Sequence, residues 1–185
     1  MNRMIAGFLV VVSIAVATGC RNDGWDPEAP FAPSLRPAFG ARITDGQLRI
    51  WTGSPCANAV RVSVYFEPSR AELVLTSNAK TGTDLEHITI GGQYPGFSII
   101  ESLATGFDWR DETRVSLSVG GSTEQGNGWG SSTDTAEFID ESPQHPDDTY
   151  WFQDVGWLNP SEVAAKDGKD FLATCTPDPA KTKKK

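Results

Sequence analysis

Histidine and long hydrophobic runs are both scarce in this chain of 185 residues. Its only histidines, His87 and His145, are far apart in the sequence and leave too few nitrogen and sulfur ligands for a zinc site. No Gly-x-Ser-x-Gly motif is present, so the sequence lacks a recognisable hydrolase nucleophile. A Gly-Lys-Ser/Thr phosphate-binding loop is missing as well. We therefore expect no metal and no cofactor.

Basic residues are outnumbered by acidic ones. The chain has 16 Lys and Arg against 24 Asp and Glu, for a formal net charge of −8. Nonspecific nucleic-acid binding depends on clustered basic side chains that neutralise phosphates, so we expect no nucleic-acid partner. The one basic cluster is C-terminal, at 181–185, and we interpret 178–185 as a disordered tail.

The longest hydrophobic stretch, 5–16, is too short to cross a bilayer, which takes roughly 20 apolar residues. Arg3 precedes it and the small residues Ala17-Thr18-Gly19 follow, which is typical of a cleaved signal peptide. The next residue is Cys20. This arrangement resembles the lipobox of bacterial lipoproteins, in which the cysteine carries lipid and becomes the first residue after cleavage.

The resemblance implies a signal peptide over 1–19, a lipid on Cys20 that anchors the protein to a membrane, and a location outside the cytoplasm in a bacterial cell envelope. The alternative is an ordinary secreted protein in which Cys20 keeps a free thiol. The residue after Cys20 is polar, as are the next three, so the hydrophobic stretch does not continue.

The two remaining cysteines, Cys56 and Cys175, have only each other as partners if Cys20 is lipidated. Disulfides persist outside the cytoplasm, so we predict a Cys56–Cys175 bond. It would close a loop of about 120 residues, for which chain entropy gives roughly 5 kcal/mol of stabilisation. Two buried free thiols are the alternative.

Proline recurs between residues 20 and 40, which predicts an extended tether there. From 41 to 177 the sequence predicts a β domain. Apolar and polar residues alternate at 60–67 and at 115–119, the period of a half-buried strand. Weaker strand candidates are 47–51, 72–76, 85–90, 97–101, 135–139, 150–155 and 171–175.

This spacing of short strands predicts an all-β fold, a single antiparallel β-sandwich, with a small barrel or jelly roll as the alternative. The only segment of helical composition is near 161–166, where Ser161 could cap a short helix.

Six tryptophans are the most distinctive side chains for binding. Trp129 lies in a glycine-rich stretch, 120–132, that reads as a mobile loop. We take Trp129, Trp109 and Trp157 as candidate ligand contacts, because exposed tryptophans stack on sugars or anchor protein interfaces. Trp51 and Trp151 are expected in the core.

The acidic stretch 134–154 could supply oxygen ligands to calcium, but it lacks the spacing of an EF-hand. We interpret it as a solvated loop.

Together these features predict a non-catalytic binding module whose partner is an envelope or extracellular protein. A cell-wall glycan is the alternative ligand. A hydrolase of envelope polymers using an Asp/Glu pair is less favoured, because no pair is distinguished by its surroundings. A phage-encoded lipoprotein that blocks injection at the cell surface is a further alternative that no residue favours.

Overall fold

The computed structural model describes residues 35–121 and 129–179. The predicted signal peptide, Cys20, most of the predicted tether, the centre of the glycine-rich stretch and residues 180–185 lie outside the described residues. Within the described ranges the strands are β1 (Pro37–Ala38), β2 (Gly40–Thr44), β3 (Gln47–Glu67), β4 (Glu72–Ser77), β5 (Thr83–Thr89), β6 (Phe97–Glu101), β7 (Arg114–Gly121), β8 (Trp129–Asp134), β9 (Tyr150–Phe152), β10 (Gly156–Leu158) and β11 (Leu172–Ala173). The helices there are α1 (Ala136–Ile139) and α2 (Pro160–Lys166). None of the helices in this part of the chain is long and apolar enough to cross a membrane.

The prediction of an all-β fold is confirmed. Among the described residues, nine strands form one antiparallel sheet with β10-β9-β2-β3-β4-β6 as its main path. Strands β5 and β7 also pair with β3, and β8 pairs with β7. The finer prediction of a sandwich stays a prediction.

Strand β3 organises this sheet, because its 21 residues pair with four other strands. Its first half lies between β2 and β5, and its second half between β4 and β7. Two register shifts, between Trp51 and Cys56 and between Cys56 and Ala59, separate the halves. A Cβ on Gly82 would lie 2.3 Å from the carbonyl oxygen of Asn58, so only glycine allows this close approach to β3.

The hairpin of β2 and β3 follows directly from its sequence. Thr44 pairs with Gln47 across a two-residue turn, Asp45-Gly46. Both turn residues have positive φ, 52° and 73°, as expected for the type I′ turn that Asp-Gly favours. The turn fixes the register, so Leu48 and Ile50 face the main core and Trp51 faces the opposite side.

A smaller apolar cluster therefore covers the outer side of the sheet. Its buried residues are contributed by strands of the sheet, by α2 and by the C-terminal segment, namely Ala38, Trp51, Tyr150, Phe152, Leu158, Val163, Phe171 and Ala173. The location of Trp51 in the core agrees with its expected role.

The C-terminal segment is fastened to β3. The Sγ atoms of Cys56 and Cys175 are 1.98 Å apart, which is a disulfide. Ser54 Oγ of β3 also donates to the Thr174 carbonyl at 3.1 Å. Within the C-terminal segment itself, the Asp167 carboxylate accepts from the backbone N–H of Ala173 at 2.8 Å. A disulfide of this kind is typical of a domain that lies outside the cytoplasm.

Regular β structure begins within the predicted tether, before residue 41. Pro37–Ala38 forms β1, parallel to β11, and Phe39 is buried in the main core. The aromatic side chain explains the difference, because burial of Phe39 orders the end of a segment that the prolines alone would leave extended.

Local differences also occur in the helices. The strand candidate 135–139 instead contains the single-turn helix α1, Ala136–Ile139, and its Phe138 is buried in the core. Helix α2 confirms the predicted helix near 161–166, but its cap is Asn159 and not Ser161. The Asn159 side chain accepts from the Glu162 N–H at 3.0 Å, and the Glu162 carboxylate accepts from the Asn159 N–H at 2.8 Å.

Candidate binding site

A small cleft of about 190 Å³ lies beside β5. Its walls combine apolar side chains with two carboxylates, an imidazole and a phenol, from Leu75, Asp84, Leu85, Glu86, His87, Tyr94, Pro95 and Phe97. Ligand sites for drug-sized molecules usually exceed about 300 Å³, so this cleft suits a smaller ligand.

The polar groups of the cleft are held in place by neighbouring donors. Asp84 Oδ1 accepts from the Asn58 N–H at 3.1 Å, and Glu86 Oε1 accepts from Trp51 Nε1 at 3.2 Å. The hydroxyl oxygen of Tyr94 accepts from the Gly91 N–H at 3.2 Å. Burial raises the pKa of Tyr94, so this phenol stays protonated and can donate.

His87 connects the cleft to the aromatic cluster on the outer side of the sheet. It lies directly opposite Trp51 in the pairing of β3 with β5. The two rings are nearly parallel, at 8°, with centroids 6.1 Å apart, and the Tyr150 ring is 6.2 Å from His87. Burial lowers the pKa of His87; the charge of Glu86 opposes this effect and that of Arg49 adds to it. The imidazole is therefore neutral near pH 7.

The structure removes Trp109 from the candidate ligand contacts. Trp109 is 6% exposed and belongs to the main core. The guanidinium of Arg110 covers the ring at 4.4 Å from its centroid. A short 3-10 helix over Trp109–Asp111, capped by Asp108, turns the indole inward.

Trp157 is partly buried, and neighbouring side chains leave less of its ring free for a ligand to stack on. The His145 ring stacks on it at 4.2 Å and 14°, while the Trp151 ring lies tilted beside it at 6.2 Å. Trp157 Nε1 donates to the Glu141 carboxylate at 3.1 Å. One face of the indole is thus already covered by a side chain of this protein.

Trp129 is also partly buried, and it begins strand β8 opposite Val119 of β7. A Cβ on Gly121 would lie 3.5 Å from the Trp129 ring, so the indole packs over that glycine. The strand was not predicted, because its Ser, Thr and Gly residues have no apolar alternation. Trp129 remains a candidate contact, and its neighbours 122–128 lie outside the described residues.

The acidic stretch is organised by a buried arginine. Arg42 Nη1 donates to the carbonyls of Pro146 and Thr149 at 2.6 and 2.7 Å, and Nη2 contacts Asp147 at 3.3 Å. In the part of the chain that the structure describes, no three His, Cys, Asp or Glu side chains gather closely enough to hold a metal ion.

Strand β6 presents the most exposed large hydrophobic side chains of the described residues. Ile99 is 52% and Ile100 is 63% exposed. Among the described strands β6 pairs only with β4, so it is an edge of the sheet. Ile99 pairs with Leu75 and Glu101 pairs with Val74, so the pairing register shifts by one residue between them. Ile100 is therefore an extra residue in a bulge.

The sequence predicted strands at 85–90 and 97–101, but it singled out neither Glu86, Ile99 nor Ile100. It named His87 only as one of two histidines too few for a zinc site. The alternation of apolar and polar residues does not show that a strand such as β6 lies at an edge of the sheet. It also does not show which residue of β3 pairs with His87. Comparison of the chain with family models, with curated proteins and with solved structures found no match.

Proposed function

We propose that this protein is a lipid-anchored, extracytoplasmic module that binds an envelope or extracellular protein through the edge of β6. The observation that carries the proposal is the pair of adjacent, exposed isoleucines, Ile99 and Ile100, on an edge strand. An exposed apolar edge offers backbone donors and acceptors together with hydrophobic area, which is the basis of recognition by strand addition. The anchor rests on the lipobox-like sequence before Cys20.

The bulge in β6 favours a dedicated partner over open-ended self-association. Proteins protect exposed edges with bulges because a long regular edge would pair with copies of itself. Here Leu75 pairs with Ile99 and Val74 with Glu101, so regular pairing stops at Ile100. A partner segment would add along 97–99 and pack against the two isoleucines.

The hydrolase alternative has less support. Asp84 and Glu86 line one cleft, yet both side chains are exposed and each already accepts a hydrogen bond. A carboxyl group that acts as general acid usually needs an apolar setting that raises its pKa. The open setting of these two residues favours binding over catalysis.

Site-specific crosslinking in the native envelope tests the proposal. A photoreactive amino acid replaces Ser98, an exposed residue of β6, and Ser132, an exposed residue of β8, serves as the matched control position. We expect mass spectrometry to recover one recurrent protein from position 98 and not from position 132. Exchange of both isoleucines for threonine, in Ile99→Thr with Ile100→Thr, should abolish that crosslink, because threonine keeps the strand but removes apolar area.

Two results would contradict the proposal. One is the same set of neighbours at positions 98 and 132, and the other is a crosslink that survives the double threonine exchange. The anchor is tested separately: cells grown with a labelled fatty acid should label the wild type but not Cys20→Ala.

A further inference from the structure

The cleft beside β5 differs in polarity between its base and its mouth. The buried residues that line it, Leu75, Leu85 and Phe97, are all apolar. Asp84 and Glu86 line the same cleft, but both residues are exposed, so their carboxylates lie towards the solvent. A ligand that fills the cleft therefore meets hydrocarbon at one end and carboxylate oxygens at the other.

The negative charge at the mouth of the cleft has no counter-ion in the protein. None of the residues that line the cleft is Lys or Arg, and no ion pair within the described residues includes Asp84 or Glu86. Burial lowers the pKa of His87 and raises that of Tyr94, so this imidazole and this phenol are both uncharged near pH 7. The mouth therefore favours a cation.

Both carboxylates keep hydrogen-bonding capacity for such a cation. Asp84 Oδ1 accepts from the Asn58 N–H, and Glu86 Oε1 accepts from Trp51 Nε1. No hydrogen bond within the described residues uses the second oxygen of either carboxylate. Strand β5 pairs only with β3 among the described strands, so its other edge adds backbone carbonyls without a strand partner. These acceptors suit the three donors of an ammonium group.

We propose that this cleft binds a small primary amine that carries one short apolar tail. The ammonium group donates to Asp84 and Glu86, because hydrogen bonds between charged partners are the strong ones. The tail packs on the three buried apolar side chains at the base and is thereby removed from water. The site does not require a partner at the β6 edge.

The size and polarity of the cleft select this class of ligand. A closed apolar cavity of about 150 Å³ holds a benzene ring. A cleft of about 190 Å³ thus has room for one ring or a short alkyl chain. A diamine would bring a second charge against the apolar base, which is costly. A carboxylic acid with the same tail would place its charge beside two carboxylates, which would repel it.

Nuclear magnetic resonance titration of the purified full-length protein near neutral pH tests the site. Benzylamine is the probe. Benzyl alcohol has the same ring without the charge, benzoate has the opposite charge, and methylamine has the charge without the tail. Benzylamine is expected to bind with a Kd of roughly 1 mM and to shift the backbone signals of Leu85 and Phe97. Each of the other three compounds should bind at least several-fold more weakly.

Variants of the two carboxylates then separate their charge from the fold. Asp84→Asn with Glu86→Gln should weaken benzylamine binding about fivefold or more, because two ion pairs are lost. Each new side chain keeps an oxygen for the existing donor, and binding of benzyl alcohol should not change. Glu67→Gln with Glu101→Gln is the matched control, since it removes two exposed carboxylates that do not line the cleft.

Three results would overturn the proposal. The first is that benzyl alcohol, benzoate or methylamine binds the wild type as tightly as benzylamine does. The second is unchanged benzylamine binding in the cleft variant, and the third is equal weakening in the control variant. A thermal melt of each variant confirms that it is folded, and the comparison of the four compounds needs only the wild type.

Discussion

Arg42 and Arg49 are direct cross-strand neighbours on β2 and β3, and their guanidinium groups differ in the hydrogen bonds that they form. Arg42 is 2% exposed and donates to backbone carbonyls of the acidic segment. Arg49 has a buried Nε that meets no acceptor among the described residues. The first arginine thus stabilises the acidic segment, and the second makes no comparable contribution through its Nε.

Arg42→Gln should be strongly destabilising. The substitution leaves the buried Thr149 carbonyl without its Arg42 donor, while the Pro146 carbonyl still accepts from the N–H and hydroxyl of Thr149. We expect a cost of about 2–3 kcal/mol in the free energy of unfolding. Urea denaturation monitored by tryptophan fluorescence measures the loss. The exposed Arg61→Gln should remain within about 0.5 kcal/mol of the wild type. Equal stability of the two variants would contradict the assigned role of Arg42.

Acidification should destabilise the protein partly through His87. Burial lowers the pKa of His87 in the folded state below its ordinary value of 6.5. The unfolded chain therefore takes up the proton first, and stability begins to fall as the pH drops through 6.5. The loss is complete once the pH lies below the folded-state pKa.

Denaturation curves at pH values on both sides of 6.5 measure this effect. The loss of stability should be smaller in His87→Gln than in the wild type, and His145→Gln should retain the His87 component. A proton titration of His87 with a midpoint at or above 6.5 would contradict the prediction.

Removal of the disulfide should lower stability substantially. Cys56 and Cys175 are separated by 119 residues, and a link across so long a loop restricts the unfolded chain. Cys56→Ser with Cys175→Ser should cost about 2–5 kcal/mol. A reducing agent should destabilise the wild type by a similar amount and leave the double variant unchanged. Insensitivity of the wild type to reduction would show that the bond does not contribute.

The cap of α2 gives a prediction that distinguishes two neighbouring residues. Asn159→Ala removes the acceptor for the Glu162 N–H and should cost about 1 kcal/mol. Ser161→Ala removes only a hydroxyl that donates to Asn159, so it should cost less. Thermal melting compares the stability of the two variants. A larger loss of stability in Ser161→Ala than in Asn159→Ala would support Ser161 as the cap, as the sequence suggested.

Alternation along the chain predicted most strands, since one face of each is buried against a core. It failed inside β3, where the sequence predicted two separate strands at 47–51 and 60–67. The residues between them carry the register shifts near Cys56, and a bulge destroys the period of two that sequence analysis detects. It also failed for β8, whose small polar residues are placed by pairing with β7.

The candidate sites were harder to predict, because they depend on register and on edges. Nothing in the sequence sets His87 against Trp51 until β5 is aligned with β3. Ile99 and Ile100 resemble core residues in composition, and only the end of the sheet at β6 exposes them. Trp109 resembled a surface aromatic until the turn at Asp108 directed it inward.

The pairing of β1 with β11 determines how tension applied at the N-terminal side would enter this domain. The Leu172 N–H donates to the Arg36 carbonyl at 2.9 Å, and the disulfide at Cys175 lies just beyond β11. A pull on the chain before β1 would therefore load the β1–β11 hydrogen bonds, and the disulfide at Cys175 would pass that load to Cys56, in the middle of β3. Because the backbone reaches β3 from β1 through β2, this pairing gives the longest strand a second mechanical connection to the N-terminal side.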